Sequence, residues 1–469
     1  MNGWVEVFLR GVGTFFLLYL ILYATYLFLS VLVGAWRLYQ HDRMAQIRNE
    51  LRHDYYVPIS VLVPAYNEEV TIVDSVRSLM ELNYRLYEII VIDDGSKDET
   101  AARLIEAFSM RRVERPVHLR LKCRPLKAVY EAPSTKVKLT LVRKENGGKG
   151  DSLNMGINVS RYPYFLCMDA DSLLQKDSLK KIAQPVLEDD CVVAVGGLIR
   201  VAQCVEMENG EVVGYHLPAN PVTCMQVMEY DRSFLASRIL MDQFNGNLII
   251  SGAFGLFKKE TVVAAGGYDA GTLGEDMELV VKLHVYCRNN QQKYAIRYEP
   301  NAVCWSQAPT SLKDLMKQRR RWHLGLFQSM VLHRQIFANP RFGLVSWISY
   351  MYYLLFELLS PAIEVFGILT MVLAACFGFL NVPFMLRYFL FYAAYGAAMT
   401  MTAFFQRIYT QNLRITLLDA ARALAMCFME SLFFRYVLSF VRVTSFIGYR
   451  RKKNQWGAIK RVKQQEWKA

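Results

Sequence analysis

Residues 59–69, ISVLVPAYNEE, and 88–100, EIIVIDDGSKDET, each run from branched apolar residues directly into a polar loop. An apolar run without alternation reads as a strand buried on both faces, as in a parallel sheet, and a helix-like stretch follows each one. The same unit returns at 138–157, KLTLVRKENGGKGDSLNMGI, and at 163–172, PYFLCMDADS. Four strand-to-loop units in succession predict an open, doubly wound α/β sheet over 57–309, with ligand chemistry at the carboxyl ends of its strands. Between the second and third strands, the basic segment 110–138 has three prolines and no period, which predicts a surface insertion.

Outward from this block the chain becomes apolar. Residues 11–36 carry no charge and are long enough to cross a bilayer, and the run is too long for a cleaved signal peptide. The expected order is a transmembrane helix over 1–36, a cytosolic linker over 37–56 and then the α/β domain. Arg37, Arg43, Arg48 and Arg52 follow the first span and only Arg10 precedes it, so the positive-inside rule puts the N-terminus outside and the α/β domain in the cytosol. After amphipathic interface helices over 310–342, four apolar stretches fill 343–448, and 449–469 forms a basic cytosolic tail. A cytosolic tail needs an even number of crossings, so four C-terminal spans are expected. Glu357, Glu364 and Glu430 weaken some of them and favour interfacial placement or an aqueous path. The chain therefore reads as a multi-pass protein of the inner (cytoplasmic) membrane.

Composition agrees: 53% apolar and 13% aromatic residues are high for a soluble protein of 469 residues. The net charge of +13 suits membrane lipids or phosphorylated ligands. No zinc finger, basic heptad array or RNA-binding signature is present, so no nucleic acid partner is expected. Nine cysteines without a C-x-x-C read as free thiols in a reducing cytosol.

The chemistry-bearing motifs lie at strand ends. DDGS (93–96) and DADS (169–172) place carboxylates that repel one another unless a cation or a donor joins them, although Asp and Ser there also make turns and helix caps. A D-x-D at a strand end, Asp169 and Asp171, can hold one divalent ion and leave positions open for a diphosphate. The loop ENGGKGDSLN (145–154) is not a Walker A motif, yet Gly147 and Gly148 allow close approach and Lys149 can reach a phosphate or a base. SGAFGLF (251–257) has a bulge as its plainer reading, and Glu275 and Asp276, which follow Gly274, have helix capping as theirs. KQRRRWHLG (317–325) reads as a membrane anchor at Lys317 and Arg319. That reading leaves Gln318 and the order Q-x-x-R-W unexplained.

Taken in order along 57–335, these motifs resemble the membrane-embedded family 2 glycosyltransferases: cellulose, hyaluronan, chitin and poly-N-acetylglucosamine synthases. The resemblance implies a GT-A-type domain inserted between transmembrane helices. It assigns Asp93 or Asp94 to the uridine, Lys149 to the nucleotide, Asp169 and Asp171 to the diphosphate and its Mg²⁺ or Mn²⁺, and Arg321 to the leaving diphosphate. Asp276, with Glu275 beside it, becomes the catalytic base; Trp322, Gln318, Ser251 and Gly252 fall on the acceptor side. The implied activity is inverting, processive transfer from a UDP-sugar, UDP-N-acetylglucosamine ahead of UDP-glucose, to a growing β-linked glycan. Alternatives are a non-processive transferase acting on a lipid or short glycan acceptor, and a transporter or scaffold that only binds nucleotide. Accessory export proteins are left open. No cyclic-di-GMP-binding domain follows the last apolar stretch, so activation through one is not expected. The segments 110–138 and 201–245 depart from a minimal catalytic core.

Overall fold

A computed structural model describes residues 2–50, 55–208, 210–410, 413–447 and 449, with side chains described except at 2, 41–50 and 410. The four strands read from sequence form β1 (Ile59–Ala65), β2 (Tyr87–Asp93), β5 (Lys138–Lys144) and β6 (Tyr164–Met168), with β3 (Arg111–Val113) and β4 (Leu126–Glu131) between them. Five more follow in chain order: β7 (Leu173–Leu174), β8 (Val192–Val201), the pair β9 (Val205–Glu208) and β10 (Glu211–Tyr215), and β11 (Phe254–Lys258). The last is β12 (Ala295–Ser306).

The main sheet runs β3-β4-β5-β2-β1-β6-β11-β8-β12-β7. Its heart, β5-β2-β1-β6, is parallel. Along β1, β2 and β5 odd-numbered side chains such as Val61, Val63, Ile89 and Val91 enter one core, and Leu62, Ile90, Ile92 and Val142 enter the other; on β6 it is the even-numbered Leu166 and Met168 that join the first core. Both faces are covered, which is why the runs are apolar throughout. The strand order reverses beside β1, so the carboxyl ends of β1 and β6 border the crevice where open α/β sheets take ligands.

The flanks differ from expectation. The 110–138 insertion is in part sheet: β3 and β4 add antiparallel strands to the edge. On the other side β11 lies antiparallel between β6 and β8, and β12 runs parallel to β8, so the sheet is doubly wound only in its parallel part and mixed beyond it.

Segment 201–245 forms the β9/β10 hairpin and then the helix Pro221–Arg232, which continues through a π-helical turn into Arg238–Asp242. This adaptor lies against the apolar helices. Arg407 gives one nitrogen to both carboxylate oxygens of Asp231 (2.7 and 2.6 Å), and Arg232 grips Glu430 with two nitrogens (2.8 and 2.6 Å). Asp419 accepts the Leu217 amide at 3.0 Å.

Among the described residues three helices, Gly3–Gln40, Val382–Tyr409 and Leu417–Phe446, are long and apolar enough to cross a membrane. The first two C-terminal stretches expected as separate spans instead form a pair, Val345–Leu358 and Ser360–Cys376, bent by 47°. Pro361 starts the second member, where its missing N–H costs nothing at a helix start. The four stretches thus give three units. The N-terminal helix runs unbroken from Asn2 to Glu50, so most of the expected linker 37–56 is helical; Arg52 lies outside the described residues. In the expected interface region 310–342, one long helix, Leu312–Leu332, precedes two short turns. The expected basic tail lies outside the described residues except for Tyr449.

Candidate active site

At the end of β2 the two aspartates part company. Asp93 is 1% exposed, accepts the Ser96 amide at 2.9 Å and meets Arg143 Nε at 3.3 Å, so it builds the turn and does not line the cleft. Its expected contact with the donor is therefore not supported by its position. Asp94 lines the cleft. Its oxygens accept the Gly147 and Gly148 amides (3.0 and 2.7 Å) and the Lys144 ammonium. Gly148 has φ 90°, a backbone region open to glycine and strained for other residues. Lys144, fully buried, also meets Asp151 at 2.7 Å. One lysine thus joins Asp94 to the first turn of the helix Lys149–Val159, and this loop geometry was invisible in the motif alone.

At the end of β6, Asp169 accepts the Lys149 ammonium, which also donates to the Gly252 carbonyl (3.2 Å) and stands 3.7 Å from Glu275. Burial lowers the Lys149 pKa, but Asp169, Glu275 and Asp276 outweigh it and hold the ammonium above its ordinary value. Burial also pushes Glu275 up to about 7; Lys149 and Arg321 pull it down and Asp276 pushes it up. Asp276 receives the Gly252 amide on one oxygen (3.2 Å) and the Met277 amide on the other (2.8 Å). Gly252 is therefore the backbone hub between lysine and carboxylate, with Ser251 beside it in the cleft lining.

Among the described residues no three carboxylate, imidazole or thiol groups converge to hold a metal unaided. Asp169 and Asp171, both lining the cleft, supply two hard oxygen donors at one strand end. That donor set fits Mg²⁺ or Mn²⁺ when diphosphate and water oxygens complete the shell.

The helix Leu312–Leu332 closes the cleft opposite these carboxylates. Gly325 packs on Gly274 so tightly that a Cβ on Gly325 would lie 2.8 Å from the Gly274 Cα, and Gln328 accepts the Leu273 amide at 2.8 Å. This fixes the loop that carries Glu275 and Asp276. Gln318, Arg321, Trp322 and His323 line the cleft. Arg319 is 2% exposed, donates to Glu229 at 2.6 Å and stacks 4.3 Å from the Trp322 ring centre. The anchor reading for Arg319 thus gives way to a buried support for Trp322, which remains 40% exposed. Lys317 is exposed and pairs with Asp314 one turn away (2.9 Å).

Asp94, Gly147, Lys149, Asp169, Asp171, Ser251, Gly252, Glu275, Asp276, Gln318, Arg321 and Trp322 line one continuous cavity of about 2060 Å³, which Arg319 also borders, whereas Asp93, Lys144 and Lys317 do not line it. It passes from Asn67, Asp94 and Gly147 over the carboxylates and Trp322, then runs between the apolar helices past Tyr23, Glu364, Arg435 and Phe16. Glu357, Glu364 and Glu430, flagged by sequence as costly in a membrane, all line it. Reasoning from motifs missed Asn67, Glu68, Arg124 and Glu229, which also line it. None belongs to a motif singled out by spacing.

Comparison with known proteins adds the family. The pattern defining Glycosyl transferase family group 2 matches residues 164–407, and that of Glycosyl transferase family 2 matches 60–122. The poly-β-1,6-N-acetyl-D-glucosamine synthase of Staphylococcus aureus (strain COL) is 30% identical over 285 residues, 60% of this chain and 57% of that protein. The Staphylococcus epidermidis synthase is 29% identical over 286 residues, 61% of this chain and 58% of its own. The chain thus spans under two thirds of the length of these curated relatives. In three dimensions it is similar to a mannosyltransferase of Pyrobaculum calidifontis in complex with GDP-mannose and Mn²⁺: TM-score 0.51, 19% identity, 89% of this chain and 99% of that one. With its GT-A-type fold and a family match over more than half of its length, the chain belongs to the family 2 glycosyltransferases.

Proposed function

We propose that this protein transfers a sugar from a UDP-sugar, with inversion, to a β-linked glycan that it extends processively at the cytosolic face of the inner membrane. The observation that carries this reading is the single cavity joining the Asp94 end, the carboxylates, Trp322 and the apolar helices. A product formed beside Trp322 has a continuous path among the membrane helices. UDP-N-acetylglucosamine is the favoured donor, in line with the relatives' activity, and UDP-glucose is the second choice.

In this reading an acceptor hydroxyl oxygen attacks the anomeric carbon while the bond from that carbon to the β-phosphate oxygen breaks. Asp276, oriented by the Gly252 and Met277 amides, takes the hydroxyl proton. Arg321 and Lys149 face the charge that develops on the departing UDP, and Trp322 offers a flat apolar surface to the acceptor ring. Asp169 and Asp171 would hold a Mg²⁺ or Mn²⁺, which supplies Lewis-acid stabilisation of the diphosphate when bound. Two crossings after the catalytic domain, Val382–Tyr409 and Leu417–Phe446, return the tail to the cytosol if the bent pair does not cross.

A second reading, single transfer to a lipid-linked acceptor, draws on the apolar part of the cavity wall at Leu9, Val12, Phe16 and Met371. Purified full-length protein in nanodiscs, given a panel of UDP-sugars, separates the two by UDP release and product length. The proposal expects turnover with UDP-N-acetylglucosamine or UDP-glucose, loss in excess chelator with recovery on Mg²⁺ or Mn²⁺, and a long polymer. Single-sugar products would support the second reading, and no turnover with any UDP-sugar would end both.

A further inference from the structure

Arg124 belongs to the basic insertion, outside every motif discussed above, yet it lines the nucleotide end of the cavity with Asp94, Asn146 and Gly147. Its backbone is held from both ends of one helix. Asp151, in the first turn, accepts the Arg124 amide on both carboxylate oxygens (3.1 Å each). Asn158, near the other end, accepts the Arg120 and Leu121 amides (3.0 and 2.9 Å) and donates to the Leu121 carbonyl (2.8 Å). Pro125 restricts Arg124 to extended backbone, and its own carbonyl accepts the Glu145 amide at 3.0 Å.

The side chain starts across the glycine loop: a Cβ on Gly147 would lie 2.8 Å from Arg124 Cγ. Beyond that point the guanidinium is exposed and has no hydrogen bond or ion pair among the described residues. Asp151 and Asp94 share the same buried Lys144, so the perch of Arg124 and the Asp94 loop are one hydrogen-bonded unit. A rigidly mounted cation with a free fork, at the end of the cleft away from Arg321 and Trp322, is arranged to meet a ligand.

We infer that Arg124 is a specificity-determining residue that reads the base of the donor nucleotide and favours uracil over cytosine. The inference rests on the UDP-sugar reading above. A guanidinium is donor-only, so it complements the O4 carbonyl of uracil and is mismatched to the amino group that cytosine carries at that place. The diphosphate end is served by other residues, so this cation acts on the nucleoside.

The test measures UDP and CDP binding to the full-length protein in nanodiscs by calorimetry, with UDP-sugar turnover in parallel. Arg124→Ala is expected to weaken UDP binding at least tenfold, to shrink the preference for UDP over CDP, and to raise KM while leaving kcat within twofold. Arg124→Lys restores charge without the planar fork and is expected to recover only part of the preference. Arg120→Ala, which removes a neighbouring exposed charge away from the cavity, is expected to change none of these. A melting temperature equal to the parent's shows that the loop remains mounted.

If Arg124→Ala binds UDP within twofold of the parent, or loses affinity equally for UDP and CDP, the base-reading role is refuted while the transferase reading stands. If the parent itself binds neither nucleotide and turns over no UDP-sugar, both fall.

Discussion

Replacing Gly325 with Ala tests whether the helix Leu312–Leu332 positions the catalytic loop. The new methyl would meet the Gly274 Cα and N at 2.8 Å and the Leu273 carbonyl carbon at 3.1 Å. These are backbone atoms, which cannot swing aside as a side chain does. Relief to ordinary contact at 3.4 Å displaces the helix or the loop by at least about 0.6 Å. Overpacking of this kind costs about 1–3 kcal/mol, and the gain in helix propensity from Gly to Ala returns about 1 kcal/mol, so the fold survives. Catalysis is more exposed, because Asp276 lies two residues from Gly274 and a misplacement of about 1 Å can cost about a hundredfold. The variant is expected to lose about ten- to a hundredfold in kcat while binding UDP within threefold of the parent, since the Asp94 loop is untouched. The assays are UDP release under saturating donor and UDP calorimetry, with thermal melting as the check on folding. A kcat within threefold of the parent would refute the view that this glycine pair sets the geometry.

Three further outcomes follow from the site. Asp276→Asn keeps size and most hydrogen bonding but removes the proposed base; transfer is expected to vanish with UDP binding intact, and near-normal turnover would return Asp276 to helix capping. Arg321→Lys and Trp322→Ala are each expected to cut sugar incorporation at least tenfold, about 1.4 kcal/mol, whereas Lys317→Ala, on the exposed side with Asp314, leaves it unchanged; equal small effects at all three would restore the anchor reading. Burial pushes folded Glu275 up to about 7, but the unfolded chain releases the proton near the ordinary value of 4.5, so the folded state carries more protons in that window and loses stability as pH rises through it. Glu275→Gln is expected to flatten this part of the melting-temperature profile, and an unchanged slope would show that Glu275 does not set it.

The parallel centre of the sheet was legible because strands covered on both faces must be apolar at successive positions, as 59–63 and 89–92 are. The Asp-bearing loops were legible because such strands deliver their ligands at one end. The edge strands β3 and β4 were not, since Arg111, Arg112 and Lys127 mask any apolar pattern, and charge on an edge guards it against further pairing. Nor could spacing tell Asp93 from Asp94: their difference depends on Lys144, fifty residues on, and on a glycine loop that folds back to meet one of them. Segment 201–245 stood out as an addition, but its role as an adaptor was hidden for the same reason. Glu229, Asp231 and Arg232 find partners at Arg319, Arg407 and Glu430, and no local period records such pairings. The four apolar stretches beyond 343 gave length and hydropathy correctly but said nothing about the angle between the first two.

Asp231 and Arg232, adjacent in the adaptor, bind opposite charges on two different membrane helices, Arg407 and Glu430. Asp231 and Arg407 are each 2% exposed. Separating such a pair leaves a buried charge uncompensated, at about 3–5 kcal/mol. The two halves of the chain are therefore bound to a shared evolutionary history. A hybrid that joins this catalytic half to the membrane helices of a cousin inherits two stranded charges, unless an arginine and a glutamate arrive at the matching places. Recombination within this lineage has to cut elsewhere, or exchange adaptor and helices as a set.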